Sequence, residues 1–161
     1  MHNLIKSVLF TGMFLSSQVL YAAELYFDGG LGNADVELGN LDDNDTYMRI
    51  GIGGKLSDTL SIEGGFWDLG DFSGGGASVS VDGIYGNLKA SMPLEGDLRL
   101  FGKVGLYMWD AGADDGNDLF FGGGISFGKV GPGNLSAEVL LMDLDEADAT
   151  TIGASYSIPF K

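Results

Sequence analysis

The sequence alternates between apolar and polar residues with a period of two, and this feature constrains the fold more than any other. The even positions of residues 98–109 are Leu98, Leu100, Gly102, Val104, Leu106 and Met108. The odd positions are Arg99, Phe101, Lys103, Gly105, Tyr107 and Trp109. Successive side chains of a β-strand point to opposite sides, so this pattern predicts a strand with one aliphatic face and one mixed face.

Seven further segments alternate in the same way, which makes eight in all. In chain order they are residues 24–33, 46–56, 59–69, 81–92, 98–109, 118–128, 135–142 and 150–160. Each is close to the length of about 9–11 residues that a tilted membrane strand needs. The whole chain after residue 23 is therefore predicted to be strand and turn.

The connections between these segments alternate in length. Short turns fall at residues 57–58, 93–97 and 129–134. Longer, acidic loops are predicted at residues 34–45, 70–80, 110–117 and 143–149. Short turns on one side and long loops on the other are typical of an outer-membrane barrel. We expect an all-β fold, an eight-stranded antiparallel up-and-down transmembrane β-barrel.

The alternative fold is a soluble, lipocalin-like secreted barrel, which also has eight strands. A soluble barrel hides its apolar face inside and places charge outside. Here the face without charge is almost wholly aliphatic, and the charged face is rich in glycine, which suits the narrow interior of an eight-stranded barrel. The patterning favours a barrel with its aliphatic face against lipid.

The first 23 residues have the composition of a secretory signal peptide. Lys6 gives a short basic region, Val8 to Leu20 are mostly apolar, and Ala22 and Ala23 supply the small residues of a cleavage site. We expect residues 1–23 to be cleaved and residues 24–161 to form the barrel domain.

Five charged residues are predicted by the alternation to face the lumen. They are Arg49, Glu63, Lys89, Lys103 and Glu138. Buried charges persist only when they are paired and hydrogen-bonded, so we expect an ionic network that fills the interior. Such a network is compatible with a structural plug or with a narrow, porin-like pore.

Aromatic residues are predicted to form two bands at the bilayer interfaces. The band near the short turns contains Tyr26, Phe27, Phe101, Phe127 and Phe160. The band near the long loops contains Tyr47, Phe66, Trp67, Trp109, Phe120 and Phe121.

Three stretches resemble the transmembrane-domain family of outer membrane protein A. They are LSIEGGFWDLGD, LFGKVGLYMWDAGADDGNDLFFGGGISFG and LSAEVLLMDLDEADATTIGASYSIPF. The resemblance implies an eight-stranded barrel in the Gram-negative outer membrane with an internal ionic network. The family's inward acids match Glu63 and Glu138, and its inward lysine matches Lys103. The last strand carries Gly153, Tyr156, Ile158 and Phe160, similar to the C-terminal signal that the barrel-assembly machinery reads during insertion.

Enzyme chemistry is not expected. The chain has no cysteine, and its one histidine, His2, lies in the predicted signal peptide. The run from Gly124 to Gly128 matches G-x-S-x-G, but Ser126 lies within a predicted strand and lacks a histidine partner. We expect no catalytic residues, no cofactor and no resident metal. A formal net charge of −15 also argues against nucleic-acid binding.

The expected role is structural, in envelope integrity, or that of a narrow pore. The expected partners are outer-membrane lipid and lipopolysaccharide. Because the long loops hold most of the acid, divalent cations are possible ligands there. An alternative role is a surface binding module whose acidic loops meet an ion, a phage or a host partner.

Overall fold

The chain forms eight β-strands in a computed structural model that describes residues 24–38, 41–74, 77–111, 114–144 and 147–160. The strands are β1 (Glu24–Leu38), β2 (Leu41–Lys55), β3 (Leu60–Gly74), β4 (Ala77–Pro93), β5 (Arg99–Ala111), β6 (Asp114–Val130), β7 (Gly133–Leu144) and β8 (Ala147–Pro159). Each strand contains one of the eight alternating segments, and four of the segments extend one residue beyond their strand.

The strands pair in chain order and close into a barrel. All eight pairs are antiparallel, and β1 pairs with both β2 and β8. Gly32 of β1 lies opposite Gly153 of β8 at this closing seam. Closure pairs the backbone of each strand on both sides within the membrane, which a spanning sheet requires in lipid. The predicted eight-stranded up-and-down barrel is confirmed.

The two faces of each strand lie where the alternation predicts. Aliphatic residues such as Leu31, Leu119 and Ile152 are exposed on the outside, with Leu119 at 62%. Charged residues such as Arg49 and Glu63 are buried inside, at 1% and 2%. Aliphatic residues outside and charged residues inside are the arrangement of a membrane barrel. A soluble, lipocalin-like barrel has the reverse arrangement.

The strands are longer than predicted at the extracellular end, the end with the acidic connections. The hairpin of β1 and β2 stays paired to Leu38 and Leu41, and that of β3 and β4 to Gly74 and Ala77. The prediction of long loops at residues 34–45, 70–80, 110–117 and 143–149 was therefore wrong for most of these residues. The alternation of apolar and polar residues ends where the strands leave the lipid. The backbone hydrogen bonds between strands continue into water, because they do not need an apolar face.

The predicted signal peptide, residues 1–23, lies outside the described residues and stays a prediction. No helix long and apolar enough to cross a membrane is found in the part of the chain that the structure describes.

Candidate functional site

Inside the barrel, the five predicted charged residues lie in one connected set of ion pairs. Oε2 of Glu63 on β3 is 3.0 Å from Nζ of Lys103 on β5, and Oε1 is 3.4 Å from Nζ of Lys89 on β4. Lys103 Nζ is also 3.0 Å from Oε2 of Glu138 on β7. Oε1 of Glu138 is 2.7 Å from Nη2 of Arg49 on β2. Each of the two glutamates therefore has two cations beside it.

Three further side chains join this set. Asp28 on β1 is 3.2 Å from Nη2 of Arg49, so three carboxylates face three cations. Tyr26 donates a hydrogen bond of 2.7 Å to Glu63 Oε1, and Asn87 donates one of 3.1 Å to Oε2. The alternation placed these three residues on the inward face, but their heights became known only from the strand register. We call these eight residues the ionic layer.

The ionic layer is almost sealed from solvent. The side chains of Arg49, Glu63, Lys103 and Glu138 are 0% exposed. Removing two charges from water is costly, and their attraction offsets this cost only when the geometry is good and hydrogen bonds complete it. The three acidic and three basic side chains of the ionic layer balance in formal charge.

A layer of aromatic rings fills the lumen next to the ionic layer, toward the extracellular end. Trp67 lies at its centre, and its ring centroid is 5.3–6.0 Å from those of Tyr47, Tyr85, Tyr107 and Phe120. These five residues, the aromatic layer, are 0–5% exposed. The edge-to-face and tilted arrangements are those that aromatic pairs prefer. Rings from β2, β3, β4, β5 and β6 therefore meet across the lumen.

Arg49 connects the two layers. Its guanidinium carbon lies 5.4 Å from the ring centroid of Trp67 and 5.5 Å from that of Tyr85. A guanidinium group can bind carboxylates through its nitrogens and stack on aromatic faces at once. Beyond the rings, Leu69, Leu140 and Met142 continue the buried apolar packing.

The predicted aromatic bands need a correction. Tyr26, Tyr47, Trp67, Phe101 and Phe120 lie in the lumen, each at most 7% exposed, and Trp109 is half-buried. Phe27, Phe66, Phe121, Phe127 and Phe160 are exposed on the outer face. The height of an aromatic residue along the barrel does not by itself decide whether its side chain faces lipid or the lumen. The period-two alternation does, and it places the five buried residues on the inward face.

Glycines make room for the inward rings on neighbouring strands. A methyl group at Gly53 would overlap the ring of Tyr26, and one at Gly32 would lie 2.7 Å from the ring of Tyr47. A methyl group at Gly105 would lie 2.6 Å from the ring of Phe120. These contacts explain why glycine and aromatic residues share the inward face of a narrow barrel.

A cavity of about 680 Å³ opens among the short turns, on the other side of the ionic layer. Its lining includes Lys55, Lys89, Arg99 and Lys129 together with several serines. Lys89 belongs to both the cavity and the ionic layer, with a side chain that is 16% exposed and Nζ 4.5 Å from the ring centroid of Phe101. Polar solvent therefore reaches the ionic layer from the end with the short turns.

The described part of the acidic extracellular end contains no built metal site. Within the described ranges, no group of three or more His, Cys, Asp or Glu side chains is arranged to hold a metal ion. The carboxylate of Asp45 links β2 to β3 at this end. Asp45 accepts hydrogen bonds from the backbone N–H of Asp71 at 2.7 Å and of Thr46 at 2.6 Å. These bonds hold the pKa of Asp45 below its ordinary value. Divalent-cation binding stays a prediction.

Three residues of the predicted insertion signal, Gly153, Tyr156 and Ile158, lie on β8, and Phe160 directly follows its end. A methyl group at Gly153 would overlap the hydroxyl of Tyr47. Tyr156 donates a hydrogen bond of 2.6 Å to the carbonyl of Val130, and its hydroxyl accepts one of 2.9 Å from the N–H of Gly133. Ile158 and Phe160 are exposed on the outer face. Through these two hydrogen bonds, Tyr156 stabilises the turn between β6 and β7.

Ser126 lies within β6, opposite Arg99 of β5 and Ser136 of β7. Its backbone continues a strand instead of turning into a helix. The geometry that exposes the serine nucleophile of a hydrolase is therefore missing at this G-x-S-x-G run.

Solved outer-membrane barrels are similar to this chain in fold. Neisserial surface protein A is 12% identical, with a TM-score of 0.72, over 84% of this chain and 97% of the other. The outer membrane protein Ail of Yersinia pestis, in a phospholipid bilayer nanodisc, is 14% identical, with a TM-score of 0.54, over 85% and 100%. OprG of Pseudomonas aeruginosa is 13% identical, with a TM-score of 0.52, over 85% and 96%. At these identities the similarity concerns the fold alone.

Comparison with curated proteins finds no match. A family model described as "OmpA-like transmembrane domain" matches residues 21–123, which is more than half of the chain. The match covers the strands that carry Arg49, Glu63, Lys89 and Lys103. Together with the closed eight-stranded barrel and its apolar outer face, it places the protein in the outer membrane. The chain belongs to the OmpA-like transmembrane domain family.

Proposed function

We propose that the protein is a non-conducting structural barrel that contributes to the integrity of the outer membrane. The observation that carries this proposal is the aromatic layer centred on Trp67, whose five rings are packed across the lumen. Water and ions cross a barrel through a continuous polar path. Fully buried rings beside a layer of paired charges interrupt such a path.

The narrow pore is the competing role, and conductance separates the two. Barrels purified in detergent and reconstituted into planar bilayers should show no stable single-channel steps. A Trp67→Ala variant, which removes the central ring, should conduct if it stays folded. Trp109→Ala is the matched control, because Trp109 is only half-buried and packs against the buried cluster without being one of its five central rings. Regular channel steps from the unmodified protein would overturn the proposal.

The envelope role needs a separate measurement in cells. A strain without the protein should become more sensitive to detergent and to large antibiotics that an intact outer membrane excludes. Expression of the unmodified barrel, and of the Trp109→Ala control, should restore resistance. Unchanged sensitivity in the deletion strain would argue against a structural role.

We infer that this role is not enzymatic. The support is chemical, because residues 24–161 contain neither cysteine nor histidine, and Ser126 lies within a strand. We also propose that Gly153, Tyr156, Ile158 and Phe160 act as the insertion signal. Phe160→Ala should slow assembly into membranes by the barrel-assembly machinery, while Leu119→Ala, which changes an exposed outer-face residue on β6, should not.

A further inference from the structure

Three seams of the barrel open at the extracellular end, as far as the structure describes it. The pairing of β2 with β3 stops at Met48 and Asp68, and the pairing of β4 with β5 stops at Asp82 and Asp110. The pairing of β6 with β7 stops at Phe120. Beyond these points the strands continue as hairpins, paired on one side. Each open seam leaves backbone N–H and C=O groups along a strand edge.

Aspartates lie along two of these edges, those of β2 and β6. The edge of β2 that faces β3, residues 41–47, carries Asp42, Asp43 and Asp45. The edge of β6 that faces β7, residues 114–119, carries three aspartates as well. Charged side chains on an edge strand discourage pairing with another chain. These edges are therefore poor templates for an added strand.

The facing edge of β3 is covered in a different way. Asp45 of β2 accepts a hydrogen bond from the N–H of Asp71, and Asp68 accepts one from the N–H of Gly70. Gly70 has a φ of 101° and lies at an irregularity in the pairing with β4. Two backbone donors of this edge are thus already used, and the strand is locally bent.

The edge of β4 that faces β5, residues 77–81, carries no aspartate, and no hydrogen bond to a side chain is seen on it among the described residues. Residues 77–81 pair with β3, from Ala77 opposite Gly74 to Val81 opposite Gly70. Among the described residues no strand pairs with their other edge. Their sequence, ASVSV, has no charge and alternates serine with β-branched valine. Five residues of extended chain offer an edge of about 17 Å, long enough for one short strand.

The surroundings of this edge are acidic. Asp71 and Asp82 lie on β3 and β4, and Asp110 ends the ladder on β5. In the sequence around the extracellular ends of the strands, residues 34–45, 68–82, 107–118 and 142–151 contain no lysine or arginine. Negative charge of this density attracts a basic ligand and repels an acidic one.

We propose that the free edge of β4, residues 77–81, binds an extended, basic segment of a partner protein as an added strand. The segment takes the place that β5 would occupy if its pairing with β4 continued beyond Asp110, and it runs antiparallel to β4. Backbone hydrogen bonds hold the segment, as in other cases of strand addition. Its lysines or arginines lie near Asp82 and Asp110. This binding goes beyond the proposed structural role and does not depend on it.

The first experiment measures binding of a short peptide to the intact barrel in nanodiscs. The probe is a dansyl-labelled peptide of sequence KTVTVTK, followed by fluorescence anisotropy. We expect saturable binding that weakens with added salt. A peptide with glutamate in place of both lysines should bind at least tenfold more weakly. Equal binding of the two peptides, or no binding of either, would overturn the proposal.

The second experiment separates strand addition from simple attraction of charge. In a third peptide all internal residues are N-methylated, which keeps both lysines but removes the backbone donors. We expect binding at least tenfold weaker than that of the unmodified peptide. Undiminished binding would mean that charge alone attracts the ligand, and the proposal would fail.

Paired variants locate the binding site on the barrel. Ser80→Lys adds a charge to the free edge of β4, and Asn117→Lys adds the same charge to the acidic edge of β6. We expect Ser80→Lys to weaken binding at least tenfold and Asn117→Lys to change it little. A boil-dependent shift on a gel checks that both variants are folded. Equal effects of the two variants would overturn the assignment to β4.

A second copy of this chain is the other conceivable occupant. The chain has no cysteine, so a single Ser80→Cys substitution gives an unambiguous cross-linking site. In membranes we expect this variant to remain monomeric and to cross-link with a cysteine-containing form of the peptide. Disulfide-linked barrel dimers would show that copies of the chain occupy the edge, and this would overturn the proposal.

Discussion

Nζ of Lys103 on β5 lies 3.0 Å from Oε2 of Glu63 on β3 inside the lumen, although β4 separates the two strands in the barrel wall. The ion pair therefore joins strands that share no backbone ladder. With Glu138 on the far side of Lys103, it connects opposite parts of the wall through the interior.

Glu63→Ala should lower the free energy of unfolding by about 3–5 kcal/mol, because it leaves buried cations without their partner. Urea titration in detergent, followed by tryptophan fluorescence, measures the change. Glu24→Ala is the control, since the pair of Glu24 with Lys55 is about half exposed and such pairs contribute roughly 0–1 kcal/mol. Similar losses in both variants would contradict a special role for the ionic layer.

Gly53→Ala should destabilise the barrel by about 1–3 kcal/mol, because the new methyl group would overlap the ring of Tyr26. Gly86→Ala should cost little, because the nearest atom to its new methyl group would be 4.0 Å away. The same urea titration compares the two. The double variant Gly53→Ala with Tyr26→Ala should lose less than the sum of the single changes. Full additivity would show that the ring and the glycine do not share this space.

The two tryptophans should differ in their access to solvent. Trp67 is fully buried, whereas Trp109 is half-buried and its indole N–H donates a hydrogen bond to Asp118. In a Trp109→Phe variant, acrylamide should quench the remaining fluorescence only weakly. In a Trp67→Phe variant the quenching constant should be several-fold larger. Equal quenching would place Trp67 outside the lumen.

The contact between Asp45 and Asp71 should depend on pH. The pKa of Asp45 is lowered in the folded protein by the two backbone hydrogen bonds that its carboxylate accepts. The stabilisation is therefore present above the ordinary aspartate pKa of about 3.9 and is lost as the pH falls through the folded pKa. The amide resonance of Asp71, followed by NMR between neutral and acidic pH, should shift at the acidic end. Asp45→Asn should abolish that transition.

The alternation in the sequence predicted the barrel because lipid outside and a narrow lumen inside demand opposite side chains at alternate positions. For the same reason the alternation assigned five charged residues to the lumen: Arg49, Glu63, Lys89, Lys103 and Glu138. Their distances depend on how far each strand is shifted against the next. That shift is set by the turns and the closing seam, which hydrophobicity does not encode.

The extracellular ends were predicted less well, for a physical reason. In residues 34–38 and 77–81 the backbone continues the ladder where neither face meets lipid, so strand and loop have similar composition. The prediction of two aromatic bands was wrong for a different reason. Tyr47 and Trp67 have the height of an interfacial residue, but they fill the lumen because Gly32 and its counterparts leave space for rings.

The cavity among the short turns extends to the ionic layer, whose Tyr26 and Lys89 line its floor. Its mouth faces the periplasm, since short turns lie on that side of the membrane. If the barrel is non-conducting, as proposed above, a solute that enters must leave by the same mouth. Lys89 at the floor therefore experiences the salt and pH of the periplasm, and an amine-reactive reagent that cannot cross the membrane should label it from that side only.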